Sequence, residues 1–402
     1  DDSFLQKAYD AGARVQNASW GAPTSSNGYG GYTSLAAVVD DFLYRYPQHL
    51  LVVSAGNYGA DANANGVIDA DSITSPATAK NVLAVGASEN NRASSATSCN
   101  SSNPLTRCWP SYGYTYNVAP FKTDFVSDDP NGLASFSSRG PADDGRIKPD
   151  LVAPGSNILS TRSHVSTASY SDSYDSNYAY ESGTSMAAPI VSGSAALVRQ
   201  WLNQARGITT PSAALVRALL LNGSEDLSPG QYGEGTTREI PAAWPNNVEG
   251  WGRVNVAASI ELTGTQILLH DDTSGLSTSG LSQETISVTT AGQHLRVTLS
   301  WTDYPGSALT SKALVNDLDL EVVTPDGSTI LGNAAADLTT ACRSSGADRC
   351  NTSESVDIKA TTAGTYTLRV RGISVAYGPQ RFALVARIAP NPLLTYLPQL
   401  PQ

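Results

Sequence analysis

The first 260 residues alternate between two hydrophobic periods. Apolar side chains that recur every three to four residues predict an amphipathic helix at Leu35, Val38, Val39, Phe42, Leu43 and Tyr46. Short uninterrupted apolar runs at 50–53, 82–86 and 151–154 predict buried strands. Further helices are predicted over 187–201, as a buried helix, and over 211–222, where Gly223 ends the pattern. Helices that alternate with buried strands predict an α/β fold, with a parallel sheet sandwiched by helices.

After about residue 264 the hydrophobic period changes to two. Apolar and polar residues alternate at 295–301, 356–360, 366–370 and 382–386, and turn sequences such as Pro-Asp-Gly separate the segments. This pattern predicts an all-β antiparallel jelly-roll or sandwich domain. The sequence therefore predicts an α/β unit over 1–264, a β domain over 265–388, and a tail rich in Pro and Leu over 389–402.

The composition narrows the possible partners and the compartment. The 402 residues carry a net charge of −11, and only 15% of them are charged. An acidic balance argues against nucleic acid or an anionic membrane as a partner. No apolar stretch approaches the roughly eighteen residues of a membrane span. The abundance of Ser, Thr, Gly and Tyr is typical of extracellular proteins, so we expect a secreted protein.

Four cysteines form two closely spaced pairs, Cys99 with Cys108 and Cys342 with Cys350. In an oxidising compartment such pairs predict two small disulfide loops. Metal binding is the alternative, but neither spacing is typical of a zinc site and no histidine flanks either pair.

One small-residue turn is suited to present a nucleophile. Residues 182–189 have the sequence Ser-Gly-Thr-Ser-Met-Ala-Ala-Pro and lead into an apolar helix. Gly183 permits a tight approach, and Pro189 suits a first helical turn, where its missing N–H has no partner to lose. Ser185 would then have a free backbone N–H at the positive end of the helix dipole, where it can stabilise an oxyanion. The alternative is an ordinary Ser/Thr helix cap.

A second segment places an amide near such a nucleophile. Residues 50–59 form an apolar run that ends in Gly-Asn, as in a buried parallel strand that stops at its carboxyl edge. Ligands bind at that edge in open α/β sheets. Asn57 would project a second donor for the oxyanion there, although an asparagine in a plain turn is the alternative. A third segment, 17–23, ends another short strand in the same way.

These three segments, in this order, closely resemble the subtilisin-like serine proteases, or subtilases. Further matching segments are 136–141, 148–155 and 250–254. The resemblance runs from about residue 3 to about residue 388 and is nearest to the secreted alkaline branch that carries a C-terminal β-barrel, or jelly-roll, domain.

The resemblance implies a serine endopeptidase with a Ser-His-Asp triad, in which Ser185 is the nucleophile and Asn57 the oxyanion donor. The expected substrate is a protein or peptide. Its backbone would pair, as an added strand, with Ser19, Trp20 and Gly21. The pocket for the residue before the scissile bond would be walled by Ser54, Ala55 and Gly56, with Thr184 beside the nucleophile and Thr74 narrowing the floor.

The chain also departs from the family. The Asp-Ser/Thr-Gly and His-Gly-Thr-His motifs of the triad are absent, and none of its histidines, His49, His164, His270 and His294, has the family's context. Residues 2–12 predict a capped helix that follows both missing residues in the family. We therefore expect the C-terminal portion of a longer protease, inactive alone and poorly folded in its first half, whose partner is the missing N-terminal portion of its own catalytic domain. The alternative is an inactive fragment or pseudoprotease that acts as a binding module through the β domain.

Two acidic segments predict structural calcium. In the first, oxygen-bearing side chains occupy positions 1, 3, 5, 9 and 11 of a loop with Gly66 at position 6, and they belong to Asp61, Asn63, Asn65, Asp69 and Asp71. Position 12 is Ser72 rather than Glu, so a weak or modified site and a solvated surface loop both remain open. In the β domain, the resemblance implies a second calcium set of Asp303, Asp317 and Asp319.

Overall fold

The computed structural model describes residues 2–23, 28–92, 97–165, 172–260 and 265–389. Its first part is a parallel sheet in the order β1-β2-β3-β4. The strands are β1 (Val15–Ala18), β2 (Leu50–Ser54), β3 (Leu83–Ser88) and β4 (Leu151–Pro154). β2 and β3 are buried along their whole length, as expected for central strands covered on both faces. β1 has β2 as its only strand neighbour within the described ranges.

Helices cover both faces of this sheet. They are α1 (Ser3–Asp10), α2 (Ser34–Arg45), α3 (Thr184–Arg206), α4 (Ala213–Gly223) and the short α5 (Val256–Ser259). On one face, α1 and α2 pack against Leu51 and Val53 of β2. On the other face, α3 and α4 pack against Leu50 and Val52, because successive residues of a strand point to opposite sides. A hairpin of β5 (Ile158–Thr161) and β6 (Tyr178–Glu181) leads into α3.

The second part consists of two packed antiparallel sheets. The first sheet has the order β11-β10-β15-β8, and the second has the order β14-β9-β16-β7. The long strands are β7 (Gln266–Leu276), β8 (Leu281–Val288), β9 (His294–Ser300), β10 (Asn316–Val323), β14 (Ser353–Lys359), β15 (Gly364–Val375) and β16 (Gln380–Ala389), and the short ones are β11 (Thr329–Leu331), β12 (Arg343–Ser344) and β13 (Ala347–Asp348). Their facing sides enclose a core that includes Val297, Leu320, Leu368 and Leu384. The predicted fold class, a parallel α/β unit followed by an antiparallel all-β domain, is confirmed.

α4 joins the two units. All of its residues are buried, and Ala383 and Val385 of β16 belong to the same hydrophobic core as the helix. The sheet that contains β16 is therefore covered on both faces, by the sandwich core on one side and by α4 on the other. The predicted helix over 211–222 begins two residues later, because the Ser212 hydroxyl accepts the Leu215 N–H (3.0 Å) and caps α4.

The prediction of a buried α3 was wrong along one stripe. Ile190 is 36% exposed and Leu197 is 53% exposed, although Val191 and Val198 are fully buried against the sheet. Gly193 and Ala196 lie between them and are also exposed. This apolar stripe, together with the open edge of β1, is called the α3–β1 surface below.

Candidate active site

The carboxyl end of β2 and the amino end of α3 lie together. Asn57 lies just beyond β2, and its Oδ1 accepts hydrogen bonds from the Thr184 N–H (2.8 Å) and the Thr184 hydroxyl (3.0 Å). The same hydroxyl accepts the Gly56 N–H (3.2 Å). Since a backbone N–H can only donate, the oxygen of the Asn57 amide must face Thr184, and the amide nitrogen is left free to act elsewhere.

Two hydrogen-bond donors border one small space beside Ser185. The Ser185 N–H and the Asn57 Nδ2 have no hydrogen-bond partner in the part of the chain that the structure describes. A Cβ built on Gly183 would lie 3.2 Å from Asn57 Nδ2 and 3.6 Å from the Ser185 nitrogen. Both nitrogens therefore lie next to the position that a side chain at residue 183 would occupy. Two such donors at a helix amino terminus can stabilise the oxyanion of a tetrahedral intermediate.

Ser185 and Ser19 bond each other reciprocally. The half-buried Ser185 hydroxyl donates to the Ser19 carbonyl (3.2 Å), and the Ser19 hydroxyl donates to the Ser185 carbonyl (2.8 Å). The prediction that placed Pro189 in the first helical turn was wrong, because Pro189 is the sixth residue of α3. At that position its ring removes the N–H that would bond the Ser185 carbonyl, and the Ser19 hydroxyl replaces it.

The two segments predicted to bind substrate both pack against the buried Thr74. A Cβ on Gly21 would lie 2.5 Å from the Thr74 Oγ1, and a Cβ on Gly56 would lie 2.8 Å from its Cγ2. Both glycines thus leave room for the threonine side chain, which is fixed by a hydrogen bond to the Ala55 carbonyl (3.1 Å). Ser54 and Ala55 are buried, so Gly56 is the only partly exposed residue of the predicted wall 54–56.

Trp20 is the exposed member of the other predicted segment. It is 46% exposed, and its ring packs edge-on against Phe4 of α1 at 5.8 Å between centroids. Two residues later, Ala22 and Ser75 exchange backbone hydrogen bonds of 2.9 and 3.0 Å. The segment 19–21 is therefore anchored at both ends, and its middle faces solvent.

None of the four histidines is hydrogen-bonded to Ser185. His49 is buried between Tyr9 and Phe42, and this burial lowers its pKa. The partners of the four rings are Ala13 and Gln16 for His49, Ser176 for His164, Asp272 and Glu284 for His270, and Asp357 for His294.

The first predicted calcium loop brings some of its oxygens together. The buried Asp61 accepts the N–H groups of Asn65 (3.0 Å) and Gly66 (2.8 Å). Asp69 closes the loop by accepting the Ala62 N–H (2.8 Å) and the Asn63 side-chain amide (2.8 Å). Asp61 and Asp69 therefore stabilise one small loop from its two ends, and the Asn63 side-chain oxygen accepts the Asn65 N–H (3.0 Å) between them.

Two other candidates of this loop point elsewhere. The Asn65 side-chain oxygen accepts the Val67 N–H (2.9 Å). Asp71 lies beside Gly30 and Asp143, outside the loop. Over the described ranges, no group of three or more His, Cys, Asp or Glu side chains is arranged to hold a metal ion.

The carboxylates predicted as barrel ligands have protein cations as partners instead. Asp303 accepts a 2.5 Å hydrogen bond from Lys80, and both side chains are fully buried. Asp317 and Asp319 pair with Arg349, and burial nevertheless raises the pKa of Asp317 to about 6. Each of these carboxylates therefore has a cationic side chain of the protein as its partner.

The cysteines are bonded as Cys99–Cys108 and Cys342–Cys350. Four residues after the first disulfide, the Tyr112 hydroxyl donates to the Ser182 hydroxyl (3.1 Å), three residues before Ser185. Among the described residues no helix combines the length and apolarity needed to cross a bilayer.

Comparisons with known proteins show which family the chain belongs to. Residues 3–252 match the model of the Subtilase family, and residues 285–372 match that of the Bacterial pre-peptidase C-terminal domain. The Dictyostelium discoideum serine protease/ABC transporter B family protein tagB is 30% identical over 94% of the chain, which spans 24% of that relative's length. The Bacillus subtilis serine protease AprX is 34% identical over 46% of the chain and 33% of its own length.

Among solved structures, the prenylagaramide maturation protease PagA covers 64% of both chains at 22% identity, with a TM-score of 0.39. The family match extends over more than half of the residues and contains both segments predicted to bind substrate. The chain therefore belongs to the subtilase family.

Proposed function

We propose that this chain carries the nucleophile and the oxyanion-binding groups of a secreted serine endopeptidase that acts on proteins or peptides. The observation that carries the proposal is the convergence of the Asn57 Nδ2 and the Ser185 N–H on the space beside Gly183. In the reaction, the Ser185 oxygen attacks the peptide carbonyl and loses its proton to a general base. The two donors bind the resulting oxyanion, the C–N bond breaks, and water releases the acyl group from Ser185.

We propose further that the general base belongs to a polypeptide segment outside these 402 residues. Each histidine of the chain has other partners, so none is placed to accept the Ser185 proton. The α3–β1 surface supports this proposal, since an apolar helix stripe and an open parallel edge are ordinarily covered. It begins close to Ser185, which is where a segment that delivers a base has to dock.

A fluorophosphonate probe tests both proposals. We expect it to label Ser185 in a complete protease that contains this chain and barely to label the 402-residue chain. Ser185→Ala should abolish labelling, whereas Ser192→Ala, on the same helix, should leave it unchanged. Failure to label a folded complete protease would contradict the endopeptidase and favour the pseudoprotease alternative. Strong labelling of the 402-residue chain would contradict an external base.

We also propose that calcium binds the loop 61–69, held by oxygens of Asp61, Asn63 and Asp69. A bound ion would neutralise the two carboxylates and stiffen the chain just after Asn57. Terbium luminescence should show binding that Asp61→Asn removes, and EDTA should lower the melting temperature. An unchanged melting temperature in excess EDTA would contradict the proposal.

A further inference from the structure

A second cavity lies at the opposite end of β2 from Asn57. It encloses about 440 Å³, which is within the size range of small-ligand pockets. Its walls come from three places: the end of α2 with the following turn, the beginning of α4, and the paired strands β7 and β16. The cavity therefore spans the junction of the α/β unit and the β domain, far from the nucleophile.

Most charged groups of this cavity are already bonded within the protein. Asp271 accepts hydrogen bonds from the Ser212 N–H (2.9 Å) and hydroxyl (2.5 Å) at the amino end of α4. Asp272 lies 3.4 Å from the His270 Nε2 and accepts the Gly275 N–H. Arg45, at the rim, pairs with two acidic residues, Asp2 (2.5 Å) and Asp41 (3.0 Å).

Arg381 and Tyr44 are the exceptions. The exposed Arg381 guanidinium makes no hydrogen bond or ion pair with any residue that the structure describes, and neither does the hydroxyl of the half-buried Tyr44. Both side chains line the same cavity. A guanidinium and a phenol hydroxyl can each donate hydrogen bonds, and a carboxylate is an acceptor that suits both.

The remaining walls suit a peptide. Pro47, Pro379 and Phe382 supply apolar surface, and the hydroxyl of Thr302 lies among them. We propose that this cavity is an exosite that binds a short polypeptide segment through its carboxylate, held by Arg381 and the Tyr44 hydroxyl. The site is independent of Ser185, although hydrolysis of a peptide bond creates a new C-terminal carboxylate at every turnover.

Fluorescence anisotropy with the 402-residue chain tests the proposal without any turnover. The probes are three fluorescein-labelled hexapeptides: one with a free C-terminal carboxylate, its C-terminal amide, and an amide that carries a penultimate Asp. We expect the first to bind at least tenfold more tightly than its amide. Tight binding of the Asp-containing amide would identify a side chain as the source of the carboxylate, and weak binding would identify the chain end.

Matched variants locate the site. Arg381→Gln should weaken binding about tenfold and Tyr44→Phe about threefold. Lys359→Gln removes an exposed charge from another part of the β domain and should change nothing. Arg381 has no side-chain partner among the residues that the structure describes, so its variant should melt as the wild type does. Equal affinity for the acid and the amide, or wild-type affinity of Arg381→Gln, would overturn the proposal.

Discussion

The ion pair of Lys80 and Asp303 joins the α/β unit to the β domain through two side chains that solvent does not reach. The ammonium group also bonds the Tyr304 carbonyl (2.5 Å), and the carboxylate accepts the N–H groups of Val315 (2.9 Å) and Asn316 (2.8 Å). Removing one partner of a buried pair leaves an uncompensated charge and costs about 3–5 kcal/mol. We therefore expect both single substitutions to be strongly destabilising.

The two substitutions differ in what they leave behind. Lys80→Met leaves a carboxylate that keeps two N–H donors, so its cost should lie near the lower figure, about 3 kcal/mol. Asp303→Asn leaves a buried ammonium and turns an amide NH₂ toward a backbone donor, so about 5 kcal/mol is expected. Burial raises the pKa of Asp303 and Lys80 opposes this, so the Lys80→Met defect should shrink in acid, where the carboxyl group binds a proton.

Urea unfolding of the wild type, the two single variants and the double variant provides the measurement. The double variant holds no buried charge at this place, so it should be less destabilised than the sum of the singles by about 2 kcal/mol or more. The exposed Lys359→Met is the control and should change the free energy of unfolding by less than about 0.5 kcal/mol. Single effects below about 1 kcal/mol, or strict additivity, would refute the assignment of a compensated buried pair.

Three further outcomes are expected. Thr184→Val in the complete protease should lower kcat about 10- to 100-fold with little change in KM, because the Asn57 amide loses one of the two hydrogen bonds that hold it in place. Thr184→Ser keeps the hydroxyl and should retain activity. A change in KM alone would contradict this prediction. Burial raises the pKa of Asp124 to about 7, so its contribution to stability is full below pH 3.8 and is lost as the pH rises through 7. The free energy of unfolding should decrease over this pH range. Asp124→Asn should reduce the slope of this decrease, whereas the exposed Asp10→Asn should not. Equal slopes for the two variants would contradict the prediction. Asp61→Asn should remove any calcium-dependent rise in melting temperature measured by calorimetry, and a persisting rise would place the ion elsewhere.

Local patterns were sufficient for the main elements and for the position of Ser185 at the start of a helix. An apolar run followed by Gly-Asn and a small-residue turn before an apolar helix each predict one strand or helix end, and parallel topology brings such ends to one edge. This is why Asn57 and Ser185 could be paired from the sequence. The reciprocal bond with Ser19 was missed, although a proline six residues into a helix signals that one carbonyl of the first turn needs another donor.

The sequence did not predict ion pairs between residues that are far apart along the chain. In β10, Leu318, Leu320 and Val322 enter the core, and the intervening Asp317 and Asp319 suggested a metal site. The cation that pairs them is Arg349, which lies in a different part of the β domain. Lys80 and Asp303 are 223 residues apart. The local hydrophobic pattern does not predict these pairs, because each charged residue, taken with its own sequence neighbours, resembles an ordinary surface residue.

The face of the second sheet that packs against α4 shows most clearly why alternation alone does not predict which side chains are exposed. Period two assigns Arg296 and Arg387 to the solvent side of their strands, yet both are buried. They extend to the carboxyl end of α4, where Arg296 donates to the Ser224 carbonyl (2.6 Å) and Arg387 to the Asn222 carbonyl (2.8 Å). Helix carboxyl ends leave carbonyls without partners, and cations are favourable there.

The β domain thus supplies the end cap of a helix that belongs to the α/β unit. Asn222 completes the arrangement from the other side, since its side-chain amide donates to the Arg296 carbonyl (3.1 Å) and to the Thr298 hydroxyl (3.2 Å). Removing the β domain would take the guanidinium donors away from the Asn222 and Ser224 carbonyls, and it would also expose the apolar surface that Ala383 and Val385 now cover. Because of this shared interface, the two units are expected to unfold in a single transition.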